Sequence, residues 1–134
     1  MTTNYMYGIV AALLLVLAGW VLSAGYRARD DSLPAAVQAA QAKLRDAPTA
    51  ENHDALSFQF YRAGMPERSV AESEQAIRLN PHVAAYFNNL CAAYNDLKKY
   101  AEAQAACQSA LRIDPAFQLA RANLAFALVH STKQ

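Results

Sequence analysis

The sequence predicts an all-α protein: antiparallel helix pairs stacked into a solenoid and preceded by one transmembrane helix. Three observations carry that expectation. Ala84–Phe117, AAYFNNLCAAYNDLKKYAEAQAACQSALRIDPAF, holds two amphipathic patterns separated by a Lys-Lys turn and closed by Asp-Pro. The same skeleton stands one period earlier, at Ala50–Val83, and half of it stands one period later, at Gln118–His130. A fixed period of this length, Ala50 to Ala84, marks a chain of identical supersecondary units, none of which buries its apolar face alone. The third observation is Gly8–Ala24, GIVAALLLVLAGWVLSA, which carries no charge.

Widened to Tyr5–Tyr26, the apolar segment stays uncharged from end to end. As a helix it is roughly 33 Å long, enough for a hydrocarbon core of about 30 Å. Tyr5, Tyr7 and Tyr26 lie near its ends and Trp20 close to one of them, where interfacial aromatics belong. A cleaved signal fits less well. Met1–Tyr7 has no Lys or Arg, and Leu22 stands where a cleavage site needs a small residue. Residues 1–26 are therefore expected to be a retained single-pass anchor and residues 27–33 a short juxtamembrane linker. Arg27 and Arg29 follow the segment and no basic residue precedes it, so the repeats lean towards the cytoplasm, with a periplasmic placement left open.

Residues 34–134 form the repeat domain. Leu33, Val37, Ala40 and Leu44 recur at helical spacing and stop before Pro48, giving a capping or half-repeat helix over 34–47. Repeat 1, residues 50–83, carries Leu56, Phe60 and Ala63 on its first helix. Gly64-Met65-Pro66 turns the chain, and Val70, Ala76, Ile77 and Leu79 mark the second helix up to Asn80-Pro81. Repeat 2, residues 84–117, places Phe87, Leu90, Cys91 and Tyr94 on its first helix. Its second helix carries Tyr100, Ala103, Cys107, Ala110, Leu111 and Ile113, then stops at Asp114-Pro115. A last helix, 118–130, repeats the first-helix pattern with Leu124, Ala125 and Leu128.

These repeats resemble the tetratricopeptide family. The family favours a large residue, Leu, Gly/Ala and Tyr at repeat positions four, seven, eight and eleven. It favours Ala, Phe/Tyr, Ala and Pro at positions twenty, twenty-four, twenty-seven and thirty-two. Repeat 2 offers Phe87, Leu90, Cys91, Tyr94, Ala103, Cys107, Ala110 and Pro115, in which the two cysteines depart from the pattern. Repeat 1 offers His53, Leu56, Ser57, Phe60, Ser69, Ser73, Ala76 and Pro81, a weaker match that implies looser packing. The resemblance implies a curved stack whose inner side is lined by the first helix of each repeat, and a role in holding other proteins.

Composition narrows the function classes. Lys plus Arg total 12 and Asp plus Glu 11, for a net charge of +1, which offers neither a basic nucleic-acid surface nor an acidic tail. No phosphate loop, zinc spacing or catalytic constellation is present, so no enzyme, cofactor or metal is expected. His53, His82 and His130 fall at unlike repeat positions and read as lone surface or interface histidines. Cys91 and Cys107 are different, because an antiparallel pair turning at Lys98-Lys99 sets them face to face. Two buried thiols are the expectation, in keeping with the cytoplasmic lean, and a disulfide is the alternative that an oxidising compartment would bring.

The inner face supplies the candidate site. Asn89 and Asn123 share one repeat position in successive units. A row of amides both donates to and accepts from the backbone of an extended peptide. The pair resembles a short asparagine ladder of the kind other tetratricopeptide domains use. Asn88, Asn95, Asp96, Asp54, Phe58 and Arg62 are the neighbouring groove candidates, with Ala92, Tyr61, Phe126 and His130 beside them. The family's clamp for acidic C-termini maps to Asp54, Phe58, Asn89, Leu119 and Asn123, and only Asn89 matches it, so an acidic ligand is disfavoured. On the last helix Phe117, Phe126 and Val129 belong to a nearly all-apolar surface that is expected to meet a partner or a second subunit. The expected function is a membrane-anchored adaptor, of the bacterial inner-membrane type by architecture, that holds a protein or extended peptide and aids assembly of a membrane complex. A structural subunit of a membrane-associated oligomer is the alternative.

Overall fold

The computed structural model describes residues 32–132, so the expected anchor and most of its linker lie outside the described residues. Six helices follow one another: α1 Ala35–Asp46, α2 Ala50–Arg62, α3 Pro66–Leu79, α4 Ala84–Asp96, α5 Tyr100–Ile113 and α6 Gln118–Ser131. There is no strand among the described residues, and no helix there is long and apolar enough to cross a membrane.

Local chemistry sets each boundary. α1 stops ahead of Pro48, as expected. Thr49 then caps α2, its Oγ1 accepting from the Asn52 amide at 3.3 Å. Asn52 also donates from Nδ2 to the Ala47 carbonyl at 2.8 Å, tying the α1–α2 loop to the start of α2. The connection from α3 to α4 turns on Asn80, whose Oδ1 accepts from the His82 amide at 3.2 Å. Asp114 repeats that bond with the Ala116 amide at 2.9 Å between α5 and α6. A short acceptor before proline is what such a turn requires, and it falls at one repeat position in both places.

The turns inside the repeats are also equivalent. At the end of α2 the Met65 amide reaches the Phe60 carbonyl and the Gly64 amide reaches Tyr61, at 2.9 and 3.0 Å. At the end of α4, Lys99 reaches Tyr94 and Lys98 reaches Asn95, at 2.9 and 3.0 Å. This bond pair needs a left-handed residue at its centre. Gly64 meets the need at φ 70°, whereas Lys98 adopts φ 59° with a Cβ in the way. Lys98→Gly is therefore expected to stabilise the protein by about 0.5–1 kcal/mol. A urea unfolding curve checks it, read as a shift of midpoint at unchanged slope.

The helices pack as successive antiparallel pairs, α2 with α3 and α4 with α5, with α1 against α2 and α6 against α5. First helices also meet directly, α2 with α4 and α4 with α6, which puts them on the inner side of the stack. Small side chains make that closeness possible. Ala76, Ala93, Ala103, Ala110, Ala120 and Ala127 are fully buried. Leu90, Cys91, Ala106 and Cys107 form a cluster with two of them, Ala103 and Ala127, and Val70, Ile77, Tyr94 and Leu124 pack around it.

Positions eight and twenty-four are cross-linked in both full repeats, by different means. In repeat 2 Cys91 and Cys107 form a disulfide across α4 and α5, with Cα atoms 5.3 Å apart. This corrects the expectation of two thiols: opposed small-residue positions sit within bridging distance, so packing alone does not separate the two states. In repeat 1 the same positions hold Ser57 and Ser73, whose hydroxyl oxygens lie 2.6 Å apart. Ser69 Oγ is 3.0 Å from Ser57 as well, and all three serines are fully buried. The looser packing expected of repeat 1 is answered by hydrogen bonds that satisfy every hydroxyl.

Candidate partner-binding face

The inner face is built from residues of the first helices α2, α4 and α6, which meet one another directly. Ninth positions of the three helices are Phe58, Ala92 and Phe126. Phe58 is 44% exposed and Phe126 46% exposed, an unusual state for large aromatics. The Arg62 guanidinium lies 5.9 Å from the centre of the Phe58 ring, close enough for a cation–π contact. Phe126 stacks on His130 at 3.9 Å between centroids, and Tyr100 approaches Phe126 edge-on at 6.4 Å. The half-buried Ala92 stands one repeat from each phenylalanine, with Arg62 exposed on α2 and Asp96 exposed on α4. Two apolar platforms separated by a small residue suit the alternate side chains of an extended segment.

The asparagines are used differently from the expected ladder. Asn89 donates from Nδ2 to Asp54 Oδ1 at 2.8 Å. Asn123 donates from Nδ2 to Asn88 Oδ1 at 3.0 Å. Both bonds run from the sixth position of one repeat to the fifth position of the repeat before it. They are bridges between repeats, so one amide hydrogen of each residue is already committed within the chain. Asn88 and Asn95, expected to line the groove, are buried at 7% exposure. Asn95 donates to the Asn123 carbonyl at 3.0 Å, and its own Oδ1 is buried without a hydrogen-bond partner. Adjacent positions on a helix lie about 100° apart, so a one-residue difference in register moves an amide from the groove to the interface.

Asp54 sits partly buried in the first of these bridges. Burial raises its pKa; the Asn89 hydrogen bond opposes that, and Glu51 adds to it. A raised carboxylate pKa means that the folded state binds the proton more tightly than the unfolded one. The resulting stabilisation is present below the unfolded pKa and is lost as pH rises through the folded pKa, leaving a desolvation cost at neutral pH. Asp54→Asn keeps an oxygen for Asn89 and removes the charge, reproducing the Asn88–Asn123 pair. A higher melting temperature at pH 7 is expected, with the gain shrinking as pH falls through the carboxylate range. Melting curves at several pH values test this.

Other sequence candidates fall elsewhere. His53 is tied to Glu72 at 2.7 Å, and His82 is exposed. Phe117 is half-buried at the N-terminal cap of α6, and Val129 is 52% exposed on that helix. No group of three or more His, Cys, Asp or Glu side chains with metal-holding geometry occurs among the described residues. The serine cluster was legible only as a repeat-wide coincidence, because Ser57 and Ser73 stand one full repeat before Cys91 and Cys107.

Known proteins place this architecture. No family model matches the chain. The inactive TPR repeat-containing thioredoxin TTL3 of Arabidopsis thaliana is 34% identical over 85 residues, which is 61% of this chain. The chain spans only 12% of that relative's length. The NMR structure of the first TPR domain of human RPAP3 superposes with a TM-score of 0.70 at 17% identity, covering 89% of this chain and 92% of that domain. The fixed repeat period, the equivalent turns at Gly64 and Lys98 and this superposition together identify the described residues as a tetratricopeptide-repeat fold.

Proposed function

We propose that the protein is a non-enzymatic adaptor whose inner helical face holds an extended segment of a partner protein. The exposed pair Phe58 and Phe126, spaced by Ala92, carries this reading. Fold likeness supports it only in general terms, since one fold serves many partners. Apolar side chains of the bound segment sit on the two rings, and polar ones meet Arg62 and Asp96. The half-buried Asp54 disfavours a strongly acidic ligand. In this reading residues 5–26 tether the repeats to a membrane, where the held partner belongs to a membrane complex under assembly.

The Cys91–Cys107 disulfide bears on the side of that membrane. Intrachain disulfides persist in oxidising compartments, such as a bacterial periplasm, and are reduced in most cytosols. The opposing indication is a margin of two arginines, Arg27 and Arg29. The disulfide is the stronger of the two, and we place the repeats on the oxidising side.

Phe58→Ala/Phe126→Ala tests the groove. Both rings are about half exposed, so the fold is expected to survive with little change in melting temperature. Copurification of the partner with the full-length chain is expected to fall at least about tenfold, the loss of two apolar anchors. Retention of the partner at wild-type yield by a folded variant contradicts the reading.

A further inference from the structure

The described residues hold complementary halves of a repeat at their two ends. α1 occupies the place of a second helix with no first helix before it among the described residues. α6 occupies the place of a first helix with no second helix after it among the described residues. Repeat-equivalent positions show the consequence. Position eleven is Phe60 in α2, buried beside Arg68 of α3, and Tyr94 in α4, half-buried against the cluster that α4 and α5 share. In α6 it is Leu128, 48% exposed. α6 thus offers the surface that a second helix covers, and α1 is a helix of that type.

The opposite end offers the matching surface. A recess lies between α1 and α2, lined by Ala36, Ala39, Ala40 and Lys43 on one side and Ala55 and Gln59 on the other. It is the place of a preceding first helix. Position ten is consistent with this: Ala93 and Ala127 are fully buried on helices that each pack on the first helix before them, while the equivalent residue in α2 is Gln59, at the recess.

We propose that copies of this chain stack end to end, α6 of one copy seating in the α1–α2 recess of the next. The junction continues the interface already present between repeats. Its register is legible in the bridges, where the fifth position of one first helix faces the sixth of the next. Inside the chain those pairs are Asp54–Asn89 and Asn88–Asn123. At the two ends the unmatched members are Ala122 and Ala55, both exposed. Stacking sets alanine against alanine, and no polar group is stranded. A contact between two unlike surfaces is heterologous, so it builds open chains or a ring rather than a closed pair. The surface is one helix face, roughly 21 Å by 10 Å, against two helices, below the standard interface size. Association is accordingly weak and concentration-dependent.

Sedimentation of the full chain in detergent tests the proposal with two blocked variants. Leu128→Glu blocks α6; Ala39→Glu/Ala55→Glu blocks the recess. All three positions are exposed, and an unchanged circular dichroism melt confirms that each variant is folded. Wild type is expected to grow past the dimer mass as concentration rises. Each variant alone is expected to stay monomeric. Mixed, they are expected to form dimers and nothing larger, because one retains α6 and the other the recess. A monomeric wild type, which is the outcome if residues 1–31 or a different protein fill these surfaces, overturns the proposal. So does self-association of the recess variant alone, the mark of a symmetric α6–α6 contact, and so does a mixture that stays monomeric.

Discussion

Reduction of the Cys91–Cys107 disulfide is expected to lower the stability of the repeat domain by about 3 kcal/mol, from the entropy returned to an unfolded loop of this size. The bridge joins residues 16 apart in sequence. For a domain of roughly 100 residues that loss lowers the melting temperature by roughly 10–20 °C. Cys91→Ser/Cys107→Ser gives the same direction without reductant. Serines already occupy both positions in repeat 1, so the double variant is expected to fold. The loss is largest for the unit that has neighbours on both sides, since α4 and α5 carry most of the main core cluster. A melt with and without reductant, followed by circular dichroism, measures it. Equal melting temperatures would mean that the link contributes nothing to folding.

Phe60→Ala is the other large effect. Phe60 is 1% exposed at the end of α2, and the Arg68 guanidinium lies 4.1 Å from its ring centre. Truncating a buried phenylalanine costs about 3–5 kcal/mol through lost transfer energy and the cavity left behind. Native domains hold only about 5–15 kcal/mol in total, so this variant is expected to be partly unfolded or to melt far below wild type. Leu128→Ala provides the contrast. It sits at the same repeat position on α6, is 48% exposed, and is expected to cost under about 1 kcal/mol. Denaturant midpoints of the two variants test whether burial, rather than repeat position, decides the outcome.

The fold was legible because the pattern repeats at a fixed interval and each breaker has a distinct backbone role. Gly64, Pro66, Asn80-Pro81 and Asp114-Pro115 stand at or beside the observed helix ends. Ala103 at position twenty and Ala76 and Ala110 at position twenty-seven stood where the family pattern has small residues, and all three are fully buried. The site was less legible. Asn88 and Asn89 are neighbours in sequence, and both take part in bridges between repeats, one as acceptor and one as donor. Periodicity places a residue on a helix face but does not say whether its amide meets a ligand or the next helix. Two thiols and a disulfide likewise occupy the same pair of small-residue positions, so spacing brought Cys91 and Cys107 together without choosing between them. Exposure was the missing quantity for Phe58 and Phe126, which become platforms because each ring stays about half exposed even with Arg62 beside the one and Tyr100 and His130 beside the other.

Site-specific photocrosslinking in cells tests the holding role most directly. A photoreactive residue at Ala92 lies between the two exposed rings; one at Gln108, exposed on α5, lies on a second helix. The expected result is a discrete partner adduct from position 92, lost on adding Phe58→Ala/Phe126→Ala, and no such adduct from position 108. Adducts from position 108 alone, or equally from both positions, would contradict a partner held on the inner face.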